Sequence, residues 1–158
     1  MKGYTFQQYN KEHMARAIGM SLPISFKQSV EVCSYIEGKS TSDVKKLLQN
    51  VIEHKAAIPF KRFNRDLGHK KGIGPARYPE KTSGELIKLI ESVEANAQFK
   101  GLNTSNLVIT HISAHRPGKA WHYGRKSRRV MKRTNVEVVV EEKAKKEIKE
   151  KKEKGKKE

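Results

Sequence analysis

The sequence predicts an α+β domain: a small three-stranded antiparallel sheet, about three helices on one of its faces, and a long protruding β-hairpin. Three observations lead there. Residues 107–112 and 136–140 are rich in β-branched side chains and flank a basic stretch with Pro117, Gly118 and Gly124, which reads as one antiparallel hairpin. Val44, Leu47, Leu48, Val51 and Ile52 recur at helical spacing, as do Leu86, Leu89, Ile90, Val93 and Ala97, so two amphipathic helices need a surface to cover. Residues 16–22 alternate weakly and stop before Pro23, as a strand at a sheet edge would.

Taken in order, the edge strand leads to a helix from Ser25, with Phe26, Val30 and Cys33 near helical spacing and Gly38 where a C-terminal cap belongs. The Val44–Ile52 stripe makes the second helix. Residues 57–81 hold Pro59, Pro75, Pro79, Gly68, Gly72 and Gly74, which break any helix and predict a long loop. The third helix is expected from Thr82, with Glu85 at capping-box spacing, and Gly101 ends it. Residues 141–158 are mostly Lys and Glu with one Ile, too polar to bury a face: a solvated helix or a disordered tail. The expected organisation is an N-terminal extension (1–14), one domain (15–142) and a charged tail (143–158). Within the domain, the globular part takes about 15–112 and 134–142, and the hairpin about 105–140 with its tip at 116–128.

Charge points to the partner. The 158 residues carry a formal charge of +17, and no Asp or Glu occurs between Glu94 and Glu137. That 42-residue gap holds nine Lys or Arg, three His, Trp121 and Tyr123. The stretch 55–81 adds eight basic residues against two acids, with Phe60, Phe63 and Tyr78 among them, and reads as a loop that orders on RNA. A segment that keeps cations and aromatics and excludes carboxylates suits a polyanion, and nucleic acid is the expected one. A charge excess of this size favours nucleic acid or an anionic membrane. No apolar run approaches the ~18 residues of a bilayer span, so nothing spans a membrane, and of the two nucleic acid is the expected partner, with no membrane. The amino terminus has no signal-peptide apolar region, and the single Cys33 forms no internal disulfide, so a cytoplasmic location is expected.

The candidate hairpin contacts are Arg116, Lys119, Trp121, His122, Tyr123, Arg125, Lys126, Arg128, Arg129, Lys132 and Arg133. The bland alternative is a solvated ribbon that keeps the protein soluble, but solubility does not require the exclusion of acids. Guanidinium groups fork onto phosphate oxygens and stack on bases, which suits five Arg among eight hairpin cations. Trp121, His122 and Tyr123 could form a small satellite core, yet a two-layer ribbon offers little to pack against, and stacking on bases fits better. In the loop the candidates are Lys61, Arg62, Arg65, Lys70, Lys71 and Arg77.

Other chemistry is weak. His111 and His115 share a strand face but stand roughly 13 Å apart along it, too far to ligate one ion. Gly72 and Gly74 resemble the start of a dinucleotide fingerprint, but no strand precedes them and no third Gly opens a helix, so they form a turn. Cys33 on an apolar helix face reads as a buried thiol, and the carboxylates form no evident pair or triad. The expectation is a protein that is not an enzyme and holds no cofactor or metal. A general RNA- or DNA-binding chaperone, a nucleic-acid-compacting protein and a small basic nuclease are the competing classes.

Ordered blocks along the chain resemble a known family. They are residues 59–64, 72–79, 94–97, 100–103, 107–109, Gly124 with Arg125, and residues 132–134 followed by the 136–140 strand. In this order they are similar to the family of universal large-subunit ribosomal protein twenty-two, in its archaeal and eukaryotic form, from about Ala15 to Glu142. The resemblance implies a structural constituent of the large ribosomal subunit that binds large-subunit ribosomal RNA and acts in subunit assembly. It implies a globular part near the opening of the polypeptide exit tunnel and a hairpin lining the tunnel wall. The implied partners are large-subunit ribosomal RNA, neighbouring large-subunit proteins and the nascent polypeptide passing the hairpin tip, with no second copy of the chain. The tip falls at residues 118–128, where residues 117–119 and 121–123 depart from the bacterial pattern.

Overall fold

A computed structural model describes residues 4–143; the bulk of the predicted Lys/Glu tail, from residue 144, lies outside the described residues. The main sheet is three-stranded and antiparallel, in the order β1 (Met14–Leu22), β6 (Thr134–Glu142), β5 (Leu107–His115). The last strand among the described residues is therefore the central one. It pairs with β1 from Met14 opposite Glu141 to Leu22 opposite Thr134, and with β5 from Leu107 opposite Glu142 to His115 opposite Asn135. A register shift between Ile109 and His111 marks a bulge in β5.

Alternation divides the strand residues between the two faces. Ala15, Ala17, Leu107, Ile109, Ile112, Val136, Val138 and Val140 face the core with α1 (Phe26–Ile36), α2 (Thr41–Ile52) and α3 (Glu80–Phe99). Helix α3 lies on β1, α1 lies on β5, and α2 rests mainly against α3. The stripe predicted for α3 is buried throughout (Leu86, Leu89, Ile90, Val93, Ala97), while α2 buries Val44, Leu48 and Val51 of its predicted stripe and leaves Leu47 and Ile52 half-buried. In α1 the buried face is instead Ser29, Val32, Cys33 and Ile36, while Phe26 and Val30 are half-buried. The outer edge of β5 is also occupied: the Gly38 N–H donates to the Ile109 carbonyl (2.9 Å), and the Ile109 N–H donates to the Lys39 carbonyl (3.0 Å).

Two expectations change in detail. Helix α3 begins at Glu80 with Pro79 as its N-cap, so Thr82 is buried in the first turn and is no cap. Proline at the entrance supplies the restricted φ that opens a helix without needing an N–H donor. The stretch 57–81 is not a bare loop. It folds into a second three-stranded sheet, β2 (Ile58–Pro59), β4 (Gly74–Arg77) and β3 (His69–Lys70), and buries Ile58, Phe60, Leu67 and Ala76. Phe60, read as a candidate RNA-ordered aromatic, is thus a core residue. Gly72 and Gly74 have φ of 74° and 81° and close the tight β3–β4 turn, the geometry for which glycine is suited.

Segment 4–13 covers the other face of the main sheet. Phe6 stacks on His111 with ring centroids 5.1 Å apart, and the Arg16 guanidinium lies 4.2 Å from the ring centroids of both Tyr4 and Tyr9. Lys100, just past α3, donates to the Met14 carbonyl at 2.9 Å and to the Tyr9 hydroxyl at 2.5 Å, which ties this segment to the helical layer. The segment predicted only as an extension therefore closes the sheet from outside.

Candidate RNA interface

Regular pairing in the hairpin ends with His115 opposite Asn135, and residues 116–133 continue as a ribbon with sparser pairing. Trp121 bridges to Val130; the His122 N–H donates to the Arg129 carbonyl (2.9 Å) and the Met131 N–H to the Ala120 carbonyl (2.7 Å). The tip is a single 3-10 turn, Gly124–Lys126, with Gly124 and Arg128 both at positive φ, 62° and 66°. Every residue from 123 to 130 is exposed, as is Trp121. His122 and Arg133 are half-buried, and Arg133 reaches the Ser21 carbonyl at 3.4 Å. The other nine hairpin candidates are exposed. The bland alternative for Trp121, a satellite core, does not form: the ring is 53 % exposed.

In the second sheet Lys61, Arg62, Arg65, Lys70, Lys71 and Arg77 are all exposed. Their backbone is set by a residue that charge counting passes over. Glu31 on α1 is buried, and its carboxylate accepts the N–H groups of Lys61 (2.9 Å), Arg62 (2.9 Å) and Phe63 (2.6 Å). One buried anion thus fixes the turn that displays two cations, and the three donors make its burial tolerable. The available signal is a lone acid inside the apolar run Val30, Glu31, Val32, Cys33.

The hairpin and the second sheet meet at α1. The Phe26 ring has Phe63 at 6.3 Å and the Arg116 guanidinium at 4.6 Å, while Arg62 and Lys27 lie 5.3 and 5.9 Å from the Phe63 ring. Cations from both predicted groups therefore gather round one aromatic pair. Lys27 was not among the expected contacts.

The ion pairs lie elsewhere. Among the described residues they join Lys45 to Glu94, Lys55 to Glu53, Lys88 to Glu85 and Lys143 to Glu141, while His54 lies beside Glu80, and His111 and His115 beside Glu137. None involves a candidate hairpin or loop cation. Among the described residues no carboxylate pairs with the side chains of these cations, which is the electrostatic condition for displacing counterions from a polyanion.

On the face covered by segment 4–13, His111 and His115 both lean toward Glu137, with Nε2 to Oε1 distances of 3.0 and 3.5 Å. The expected separation along the strand is bridged because Glu137 stands opposite Ser113, between them. The carboxylate is 1 % exposed and also accepts from Ser113 Oγ (2.9 Å), the Thr5 N–H (3.0 Å) and the Thr5 hydroxyl. Burial pushes its pKa up, but the donors from Thr5, His111, Ser113 and His115 outweigh it and hold the carboxyl below its ordinary value. This is a structural knot on the covered face. Among the described residues, no group of three or more His, Cys, Asp or Glu is placed to hold a metal ion, and no helix is long and apolar enough to cross a membrane. Cys33 is buried, and burial pushes its thiol up to about 12.

An α+β body whose unpaired cations run from a folded basic loop along a hairpin has the build of a nucleic-acid-binding protein. The model of the family described as ribosomal protein L22p/L17e matches residues 17–141, and the chain belongs to that family. It is 38% identical over 146 residues to the large ribosomal subunit protein uL22 of Archaeoglobus fulgidus, covering 87% of this chain and 94% of that protein. Against the uL22 proteins of Staphylothermus marinus and Methanoculleus marisnigri it is 40% and 42% identical, covering 88% and 83% of this chain and 96% and 91% of theirs.

Proposed function

We propose that this protein is a structural constituent of the large ribosomal subunit that binds large-subunit ribosomal RNA and takes part in subunit assembly. Membership of the L22p/L17e family supports this, as do relatives named as large-subunit proteins. The observation that carries the RNA-binding part is the set of exposed cations on the hairpin and second sheet, none of them paired with a carboxylate among the described residues. In this reading the globular part sits near the opening of the polypeptide exit tunnel and the hairpin lines its wall. The nascent chain passes the tip, neighbouring large-subunit proteins flank the body, and the protein works in the cytoplasm as part of the ribosome, without enzymatic activity of its own.

Labour is divided along the molecule. Arg116, Lys119, Arg125, Lys126, Arg128, Arg129, Lys132 and Arg133 neutralise phosphates, as do Lys61, Arg62, Arg65, Lys70, Lys71 and Arg77. Trp121, His122 and Tyr123 offer faces and edges to unstacked bases. The ribbon beyond His115 has few cross-strand bonds of its own, and an isolated two-stranded ribbon is marginal in water, so RNA on its flanks completes its support.

The test is cosedimentation with large subunits in high salt, together with equilibrium binding to large-subunit RNA in competition with random duplex. Retention on the subunit and preference for the ribosomal fragment are expected. Equal affinity for random duplex would move the assignment to a general nucleic-acid chaperone.

A further inference from the structure

A groove of about 370 Å³ runs between α1 and the turn after β2, lined among others by Glu31, Ser34, Tyr35, Lys39, Lys61 and Arg62. We propose that this groove is a phosphate-binding subsite for folded RNA, with Lys39, Lys61 and Arg62 as its cations. The proposal rests on the RNA-binding reading above and adds Ser34, Tyr35 and Lys39, which lie outside the hairpin and loop contacts.

Lys39 is the informative residue. It is half-buried, its ammonium lies 3.7 Å from the Tyr35 ring centroid, and it forms no ion pair among the described residues. Burial lowers its pKa, the mark of a cation that has lost water without gaining a counter-charge. A ring face compensates part of that loss, and an anion supplies the rest.

The three cations also stand on backbone that is already fixed. Lys39 sits on the segment bonded to the edge of β5 through Gly38 and Ile109. Lys61 and Arg62 sit on the turn held by Glu31. Little ordering is left to do when a phosphate arrives. The acid in the lining is committed: Glu31 Oε2 accepts from Lys61, and Oε1 accepts from Arg62 and Phe63. The hydroxyls of Ser34 and Tyr35 have no protein partner among the described residues and are free to bond a phosphate oxygen or a ribose 2′-hydroxyl. The volume lies within the ~300–1,000 Å³ range of small-ligand sites, room for a nucleotide unit. A second groove between α2 and α3, lined by Lys45, Lys46 and Glu91, differs in the feature that matters, because Lys45 is already paired with Glu94 at 2.7 Å.

The experiment measures binding of the full chain to a large-subunit RNA fragment across a salt series, for the native protein and for Lys39→Gln, Lys39→Arg and Lys46→Gln. Lys39→Gln is expected to weaken binding roughly three- to tenfold and to lower the salt slope by about one unit, with Lys39→Arg close to native. Lys46→Gln, the same charge loss outside the groove, should change affinity less. In parallel, Ser34→Cys carries a photoactivated crosslinker, with Ser92→Cys on the exposed side of α3 as reference; the buried Cys33 does not compete for the reagent. Crosslinks from position 34 to one RNA region, resistant to millimolar inorganic phosphate, are expected. Native-like binding by Lys39→Gln with no crosslink from position 34 overturns the groove and leaves the RNA-binding reading standing. Displacement of the crosslink by free phosphate shows a site for a small anion rather than RNA and overturns it too. Failure of the native protein to bind the fragment overturns the RNA-binding reading itself.

Discussion

Arg116, the first residue beyond the paired part of the hairpin, rests its guanidinium 4.6 Å from the ring centroid of Phe26, the first residue of α1. The contact ties the ribbon to the body at the point where the β5–β6 ladder gives out. Replacing Arg116 by Ala should leave the core intact and cost about 0.5–1 kcal/mol of cation–π energy. Amide exchange separates the effects: faster exchange confined to residues 116–133 is expected, and uniform acceleration across the sheet would contradict a local role.

Glu31 offers a sharper test. In Glu31→Gln one of the three N–H groups meets an amide NH₂ in place of a carboxylate oxygen, leaving a part-buried donor unpaired. A loss of about 1–3 kcal/mol is expected in urea unfolding. The variant removes a negative charge from a basic surface, so electrostatics alone predicts tighter RNA binding. Weaker binding despite that gain is the expected result, because Lys61 and Arg62 lose their fixed presentation.

The Glu137 knot sets an acid limit. Its folded pKa lies below the ordinary carboxylate value, so its stabilisation is complete above about pH 5 and is lost as pH falls through the folded value. Stability against pH should therefore decline on the acid side, and Glu137→Gln should flatten that decline while lowering stability at pH 7. Deleting residues 1–13 removes Thr5 and Phe6 and should also lower stability at pH 7. An unchanged denaturation midpoint in the deletion would show that segment 4–13 merely rests on the sheet.

Deleting residues 117–126 should leave the globular domain folded while reducing affinity for large-subunit RNA and the steepness of its salt dependence. Within the tip, Arg125→Ala should lower the salt slope by about one unit, whereas Trp121→Ala should cost ~1–3 kcal/mol at every salt concentration. Equal slopes and affinities in all these proteins would remove the hairpin from RNA binding.

Much of this was legible in the sequence because it is written in local patterns. Leu86, Leu89, Ile90, Val93 and Ala97 show one face at helical spacing, and the β-branched run from Val136 to Val140 shows a strand before any partner is known. The acid-free stretch likewise announced a cationic surface. What stayed hidden depends on partners far along the chain. Thr5 meets Glu137 across 132 positions and Lys61 meets Glu31 across 30. The proline-rich stretch 57–81 looked like a loop because β2, β3 and β4 have two to four residues each, too short for periodicity to register. Phe60 likewise gave no hint of burial, since it directly follows β2 and its N–H donates to the Pro75 carbonyl of β4 within that same short sheet.

The placement of β6 has a consequence for biosynthesis. As the middle strand it supplies the ladder for both β1 and β5, yet it begins only at Thr134. While the chain is being made, the two outer strands have nothing between them, and a polypeptide interrupted before that point cannot complete the sheet. A product truncated before Thr134 lacks the strand that both β1 and β5 pair with, so each keeps an unpaired edge where β6 would lie.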